Sequence, residues 1–295
     1  MIISVRNIHK SFGKINILKG VSFYIEVPQI VGLVGPNGSG KSTLLNIITN
    51  LLDSDKGEVT ILNRSSKDPN IFKEVAFMQD NSVLYEYLTG YDHLQFIGDI
   101  HGIDQSAISS VAKRVGMESY LNKKVDKYSL GMKQHLLLAM ALLIQPKLLI
   151  MDEPLNGLDP TSAIRVRKIL VEEYKKGTTI LLSSHNLSEL DKVASKIIFL
   201  NRGEIIEEDF SQYEKIYYDL YVSDPVLVNK ILKEEILCVN VEVFDNKIRL
   251  YNNSKSPIKN VLNILLLNDI ELLDIEKKVF GTEDRYRKIF VKSGE

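Results

Sequence analysis

A glycine-rich segment near the N-terminus constrains the fold of this chain more than any other feature of its sequence. The segment fits the pattern G-x-x-x-x-G-K-[ST] and consists of Gly35, Pro36, Asn37, Gly38, Ser39, Gly40, Lys41, Ser42 and Thr43. An apolar stretch at residues 29–34 precedes it, as in a strand, and apolar residues at helical spacing follow it. In that context the glycines let the backbone surround a phosphate at the helix N-terminus. The segment is therefore predicted to bind the phosphates of a nucleotide.

A second motif supplies carboxylates to the same site. Four apolar residues at 148–151 run into Asp152 and Glu153, which is typical of a buried parallel strand at its carboxyl end. Open α/β sheets bind their ligands at that edge. Lys41 is predicted to reach the β- and γ-phosphates, and Ser42 and Asp152 to bind Mg²⁺. Glu153 is predicted to polarise the attacking water.

The hydrophobic pattern divides the chain into two blocks. In residues 1–209, strands alternate with helices, which indicates an α/β sheet, and a helix-rich stretch at about residues 83–143 interrupts it as an inserted subdomain. In residues 210–295 the predicted order is β-α-β-β-α-β, that of a small α+β, ferredoxin-like domain. We therefore expect a core domain followed by an accessory domain.

Composition excludes several classes of protein. The 295 residues contain 37 Lys and Arg against 38 Asp and Glu, so there is no basic excess for nucleic acid. A single cysteine, Cys238, excludes a disulfide framework. The longest apolar run, residues 136–144, is shorter than the roughly 20 residues of a membrane span, and no signal peptide is evident. We expect a cytosolic protein without direct membrane insertion.

The ordered motifs resemble those of the ATP-binding subunit of an ABC transporter, over about residues 3–208. The resemblance implies a P-loop NTPase core of the ABC-ATPase type, with ATP and Mg²⁺ as ligands. It rests on the Walker A and Walker B motifs above together with matches to the family's other motifs. The additional positions are Phe12 for adenine stacking, Gln79 for Mg²⁺ and partner sensing, Ser129 and Gly131 of the signature, Asp159 of the D-loop and the switch histidine His185.

The signature departs from the family's Leu-Ser-Gly-Gly-Gln. Tyr128, Leu130 and Met132 replace the leucine, the first glycine and the glutamine, and His135 stands where the family often has arginine. Ser129 and Gly131 remain. The resemblance implies that these two residues contact, in trans, the γ-phosphate of ATP bound to the other subunit of a homodimer or pseudo-dimer. Glu153 and His185 would then act as the catalytic pair.

The resemblance also implies a partner in the membrane. An ATPase of this kind works with a separate integral membrane permease, and residues 83–102 would form much of the docking surface. The signature sequence is similar to that of ATPases for bacitracin and lantibiotic export and immunity, which pair with ABC-2-type permeases. We therefore expect a peripheral protein on the cytoplasmic, inner face of the cell membrane.

Three other functions are consistent with a nucleotide-binding loop. The first is a soluble ABC-type ATPase that acts on ribosomes or nucleic acid; such proteins usually have two cassettes or a long coiled coil, and neither is evident in this sequence. The second, a P-loop kinase or GTPase, would leave the signature and His185 without a role. The third, a regulatory cassette that does not hydrolyse ATP, is disfavoured by the intact Lys41, Asp152 and Glu153.

Overall fold

The chain forms two compact units that divide at Asp209. The structure, a computed structural model, describes residues 1–209, 216–235, 241–251, 258–279, 281–286 and 289–290. The strands of the first unit are β1 (Ile3–Phe12), β2 (Ile15–Ile25), β3 (Ile30–Val34), β4 (Lys56–Ile61), β5 (Arg64–Ser65), β6 (Val75–Met78), β7 (Leu148–Met151), β8 (Thr179–Ser183), β9 (Lys196–Asn201) and β10 (Glu204–Asp209). Its helices are α1 (Lys41–Ile48), α2 (Gly90–His101), α3 (Gln105–Val115), α4 (Leu130–Leu143), α5 (Pro160–Lys175) and α6 (Leu187–Leu190).

The first unit is built around a six-stranded sheet of order β10-β9-β3-β8-β7-β6. All its pairings are parallel except that of β10 with β9. Strands β3, β7 and β8 are buried at every position, as expected for central strands covered on both faces. A smaller antiparallel sheet of order β2-β1-β4-β5 packs its apolar side chains into the same core. The predicted α/β class is confirmed.

Two strands of the main sheet were not predicted from the sequence. β6 has four residues and no alternation, and it is a strand because it pairs along β7 at the sheet edge. β10 is rich in acidic residues, and it forms because the turn at Arg202 and Gly203 brings it back antiparallel to β9. Both strands owe their structure to a neighbouring strand, which local sequence does not reveal.

Three helices form the predicted helical insertion, and polar caps determine where they begin. Thr89 and Asp92 form a reciprocal capping box on α2, and Asp104 caps α3. Gly102 and Gly116 end these helices in left-handed conformation, which glycine adopts without strain. A glycine within residues 83–143 can also indicate a helix break, as at Gly98, but Gly98 lies inside α2. A Cβ there would stand 3.3 Å from Ile108 Cδ1, so the glycine allows close helix packing.

The second unit is a four-stranded antiparallel sheet with its own apolar core. Its elements are β11 (Ile216–Val222), α7 (Pro225–Glu235), β12 (Val241–Phe244), β13 (Lys247–Tyr251), α8 (Ile258–Leu267), β14 (Leu272–Val279) and α9 (Thr282–Tyr286). The strand order β12-β13-β11-β14 is that of a ferredoxin-like split βαβ unit. The sequence predicts a strand over residues 236–244 and a helix over residues 257–267, and of these ranges residues 236–240 and 257 lie outside the described residues.

A buried carboxylate joins three strands of the second unit. Asp219 on β11 is fully buried, and its oxygens accept hydrogen bonds from Lys247 at 2.7 Å and from Arg249 at 2.8 Å. Lys278 lies 3.5 Å away on the opposite neighbouring strand. Burial alone would raise the pKa of this carboxyl, but the hydrogen bonds and charges of Arg249 and Lys247 lower it to about 2. Ionised Asp219 therefore stabilises β11 between its neighbours.

Replacing Asp219 with Ala should destabilise the second unit by about 3 kcal/mol, because it removes the buried carboxylate that pairs with the half-buried side chains of Lys247 and Arg249. Since the pKa of Asp219 in the folded state lies below the ordinary 3.8, its contribution is fully present above about pH 4 and is lost as the pH falls towards 2. Urea denaturation and hydrogen exchange of the β11 amides, each measured as a function of pH, give both the loss of stability and its pH dependence. Asp274→Ala on exposed β14 is the control; equal losses in the two variants would contradict this role.

Candidate active site

The glycine-rich segment forms a tight loop between β3 and α1. Gly38 and Gly40 have φ values of 78° and 101°, which side chains with a Cβ rarely adopt. A Cβ on Gly35 would stand 2.5 Å from the Leu200 carbonyl oxygen, so the loop can pass there only as glycine. Gly40 precedes α1 without offering a side-chain cap. The first N–H groups of α1 therefore remain available to an anion at the loop.

Lys41 lies inside this loop. The side chain is 7% exposed, and Nζ donates hydrogen bonds to the carbonyl oxygens of Gly35 at 2.8 Å and Pro36 at 3.2 Å. A cation held by neutral carbonyl groups retains its charge for a ligand with phosphate groups. The loop thus combines backbone donors, a helix N-terminus and one ammonium group.

Two of the three residues predicted to bind Mg²⁺ directly follow neighbouring strands of the main sheet. Gln79 comes directly after β6 and Asp152 directly after β7, and the last residues of these strands, Met78 and Met151, are paired in register. Asp152 Oδ1 accepts a hydrogen bond from Ser183, and Ser42 is exposed in the first turn of α1. An amide, a carboxylate and a hydroxyl are the oxygen donors that suit a hard divalent cation. The residues therefore fit a Mg²⁺ ion, which would be held with help from the nucleotide phosphates.

Glu153 and His185 meet at the ends of β7 and β8. Glu153 Oε2 accepts hydrogen bonds from the backbone N–H of His185 at 3.2 Å and contacts its Nδ1 at 2.8 Å. Glu153 has a φ of 51°, a left-handed conformation that turns its side chain away from the strand direction. The structure thus brings together the two residues predicted to act on water.

Ser183 is a site residue that sequence reasoning did not identify. Its buried hydroxyl donates to Asp152 Oδ1 at 2.5 Å and accepts from the Glu153 backbone N–H at 2.9 Å. One hydroxyl therefore fixes both carboxylate residues, including the unusual backbone of Glu153. The signal was present as a serine at the end of a buried strand, two residues before a candidate histidine, but its contacts depend on the pairing of β7 with β8.

Replacing Ser183 with Ala should lower kcat about tenfold with a small change in KM for ATP, because the hydroxyl positions Glu153 and does not itself bind nucleotide. Steady-state ATPase kinetics measure the effect. Thr179→Val is a matched control, since Thr179 is a buried hydroxyl on the same strand and its Oγ1 has no hydrogen-bond partner among the described residues. Equal kcat values in the two variants would show that Ser183 has no positioning role.

The remaining predicted residues lie on other elements of the first unit. Phe12 ends β1 with 51% of its surface exposed, and Lys10 Nζ lies 5.5 Å from its ring centroid, so the ring can accept a stacked base. Ser129 caps α4 by accepting the Met132 N–H, and Asp159 caps α5 through the N–H groups of Thr161 and Ser162. No hydrogen bond joins Ser129 to residues 35–43 in the described part of the chain.

Comparison with known proteins agrees with this geometry. The family model described as ABC transporter matches residues 18–156. The bacitracin transport ATP-binding protein BcrA of Enterococcus faecalis is 31% identical over 95% of this chain and 96% of that protein. The lantibiotic transport ATP-binding protein SrtF of Streptococcus pyogenes is 36% identical over 70% of this chain and 90% of that protein.

Solved structures agree as well. An ATP-binding cassette determined as a dimer in a post-hydrolysis state with ADP and Pi is 27% identical, with a TM-score of 0.64 over 70% of this chain and 98% of that one. The structure has no helix long and apolar enough to span a membrane within the residues it describes. The predicted fold class and ATPase activity are confirmed. The chain belongs to the ATP-binding subunits of ABC transporters, which bind and hydrolyse ATP, form dimers and act with a membrane permease.

Proposed function

We propose that this subunit powers the export of peptide antibiotics by a separate permease of the ABC-2 type, from the cytoplasmic face of the cell membrane. The near full-length match to a bacitracin transport protein is the observation that supports this substrate class most directly. The match to a lantibiotic transport protein over 70% of the chain supports the same class. Both substrates are peptides.

Two copies of the cassette close on two ATP molecules in this proposal. The loop of one copy, with Lys41, binds each triphosphate, and Ser129 and Gly131 of the other copy contact its γ-phosphate. A serine hydroxyl, a glycine N–H and the N-terminus of α4 suit an anion. ATP favours closure because the closed dimer has contacts to the γ-phosphate that the open form lacks. Asp159 and the signature residues Ser129 and Gly131 line the same cavity.

Hydrolysis requires few groups beyond those already described. Ser42, Gln79 and Asp152 would hold Mg²⁺, which would supply positive charge to the phosphate oxygens of ATP. Lys41 stabilises the same phosphate oxygens, and Ser183 holds Asp152 and Glu153 in position. Glu153 accepts a hydrogen bond from the water and orients it. His185, which is hydrogen-bonded to Glu153, contacts the γ-phosphate. Loss of the γ-phosphate removes the trans contacts, and the dimer opens.

Exposed aromatic and aliphatic side chains support a permease contact on the helical insertion. Between Gln79 and the signature, Tyr85, Tyr87, Phe96 and Ile100 are each between 58% and 67% exposed. Exposed apolar and aromatic side chains of this kind favour a protein partner. Buried His93 fixes the backbone of this segment, since its Nε2 accepts a hydrogen bond from the Tyr85 N–H at 3.0 Å and its Nδ1 contacts the Thr89 carbonyl oxygen at 2.8 Å.

Co-purification tests the partner. The chain should be recovered from the membrane fraction with an integral permease, and Phe96→Asp should reduce that recovery without altering the ATPase rate of the isolated chain. Tyr24→Asp, at another exposed aromatic on β2, is the control. Recovery with ribosomes instead would support the soluble alternative and contradict the transport proposal.

Resistance tests the substrate. Expression of the chain with its permease should raise the concentration of bacitracin or a lantibiotic that inhibits a sensitive host, and Glu153→Gln should abolish the effect. Unchanged sensitivity to both peptide classes, with the complex assembled, would contradict peptide export while leaving the ATPase assignment intact.

We propose that residues 210–295 form an accessory domain for an ATP-binding domain at residues 1–209. The separate apolar core of the second unit supports independent folding. Truncation after Asp209 should leave a folded ATPase whose rate or dimer formation differs from that of the full chain. Identical rates and identical dimer formation would indicate a purely structural domain.

A further inference from the structure

The cavity beside the signature contains charged groups for which the mechanism above gives no role. A cavity of about 280 Å³ is lined by Ser129 and Gly131 of the signature, by Asp159 at the start of α5, and by His135 and Arg165. Ser129 and Gly131 are the residues proposed to contact the γ-phosphate of ATP bound to a second copy. Any group that shares their cavity is therefore a candidate to contact the same anion.

Arg165 is a charged residue of the same cavity, and its guanidinium is on the surface of α5. It is exposed, and no carboxylate lies within ion-pair distance of it among the described residues. Its guanidinium rests on Gly116, where even a single Cβ would collide with it. Gly116 thus gives the long side chain a defined path from α5 towards the signature helix. An arginine fork held in this way is suited to bidentate contact with phosphate oxygens.

His135 does not supply a second cation. It is nine-tenths buried, and its Nδ1 contacts the Tyr120 hydroxyl at 2.9 Å. Burial lowers the pKa of His135 first, and the nearby charge of Arg165 lowers it further. Its Nε2 is buried and has no hydrogen-bond partner within the described residues. At neutral pH, Arg165 is therefore the permanent positive charge that lines the cavity.

We propose that Arg165 completes the trans phosphate site: its guanidinium binds the γ-phosphate of ATP held by a second copy of this chain, alongside Ser129 and Gly131. The inference rests on the proposed trans contact of the signature. It explains how a signature with Leu130 and Met132 in place of glycine and glutamine binds a highly charged ligand. The guanidinium adds an ionic contact to the backbone donors at the N-terminus of α4, and such a contact is stronger than a hydrogen bond between neutral groups.

Arg165→Gln tests the proposal in two backgrounds. In the otherwise native chain, kcat should fall about tenfold, while the affinity for ADP, which has no γ-phosphate, stays unchanged. In a Glu153→Gln chain, the ATP concentration required for half-maximal dimer formation should rise about tenfold. Arg165→Lys should recover part of both losses, because it restores the charge without the fork.

A matched control is Lys168→Gln, which removes one exposed positive charge from the same helix, outside the cavity. If Arg165 only stabilises the C-terminal end of α3, its replacement lowers the melting temperature but leaves ATP-dependent dimer formation at the control value. That result, or a kcat within about twofold of the control, overturns the proposal.

A third variant separates this inference from the proposed trans contact. Ser129→Asp keeps an N-cap acceptor for α4 but places a negative charge beside the γ-phosphate. It should abolish ATP-dependent dimer formation. Loss with Ser129→Asp but not with Arg165→Gln refutes Arg165 alone, whereas normal dimers with both variants refute the trans site itself.

Discussion

Replacing Glu153 with Gln should lower the ATP hydrolysis rate by about 10³-fold, because the amide can no longer accept a proton or polarise the water. The substitution keeps the size of the side chain, and the carbonyl oxygen of the amide can still accept from the His185 N–H. Ser183 bonds to the backbone N–H of this residue, so the local fold is retained. ATP should therefore bind normally and accumulate in an unreacted dimer.

Phosphate release and light scattering after size exclusion measure the two parts of this expectation. Glu172→Gln is a suitable control, because Glu172 is a carboxylate on α5 that pairs with Arg114 away from the loop. Its kcat should remain close to that of the native chain. A Glu153→Gln chain that hydrolyses ATP at the native rate would show that another group activates the water.

Replacing Lys41 with Ala should weaken ATP binding by about 100-fold or more, since it removes the cation of the loop and leaves the phosphate charge uncompensated. In the structure the ammonium group fills the loop by bonding to the carbonyls of Gly35 and Pro36. Alanine therefore also exposes two carbonyl oxygens to the phosphates, and both effects act in the same direction. Equilibrium binding of a fluorescent ATP analogue measures the loss.

Lys56→Ala provides the comparison for Lys41→Ala, because Lys56 is an exposed lysine at the start of β4. Its ATP affinity should match that of the native chain. Native affinity in Lys41→Ala, with the fold intact by circular dichroism, would mean that backbone N–H groups alone bind the triphosphate.

Sequence reasoning succeeded where a local pattern determines both structure and chemistry. The loop at residues 35–43 requires glycine at left-handed positions, and Asp152 follows a continuous apolar run, so each is evident from a short window. The helix boundaries of the insertion also depend on local caps such as Thr89 and Asp104. The fold and the family, both of which are confirmed, could be predicted from the order of these local features along the chain.

The sequence does not predict a structural feature when the contact that determines it joins distant segments of the chain. Ser183 forms hydrogen bonds with Glu153 and Asp152, which are 30 and 31 positions away in sequence, and only the parallel pairing of β7 with β8 makes these contacts. The short β6 depends on β7 in the same way, and with it the position of Gln79. Arg165 and Gly116 meet because α5 passes the end of α3, which no spacing in either segment indicates. Long-range pairing is therefore what the sequence patterns leave undetermined.

The structure of the Glu153→Gln chain with ATP and Mg²⁺ tests the central claim most directly. The account predicts a dimer with two ATP molecules, in which Ser129 Oγ and the Gly131 N–H of one copy lie about 3 Å from the γ-phosphate bound at Lys41 of the other. A single chain with ATP in its loop, and with Ser129 distant from every γ-phosphate, would contradict it.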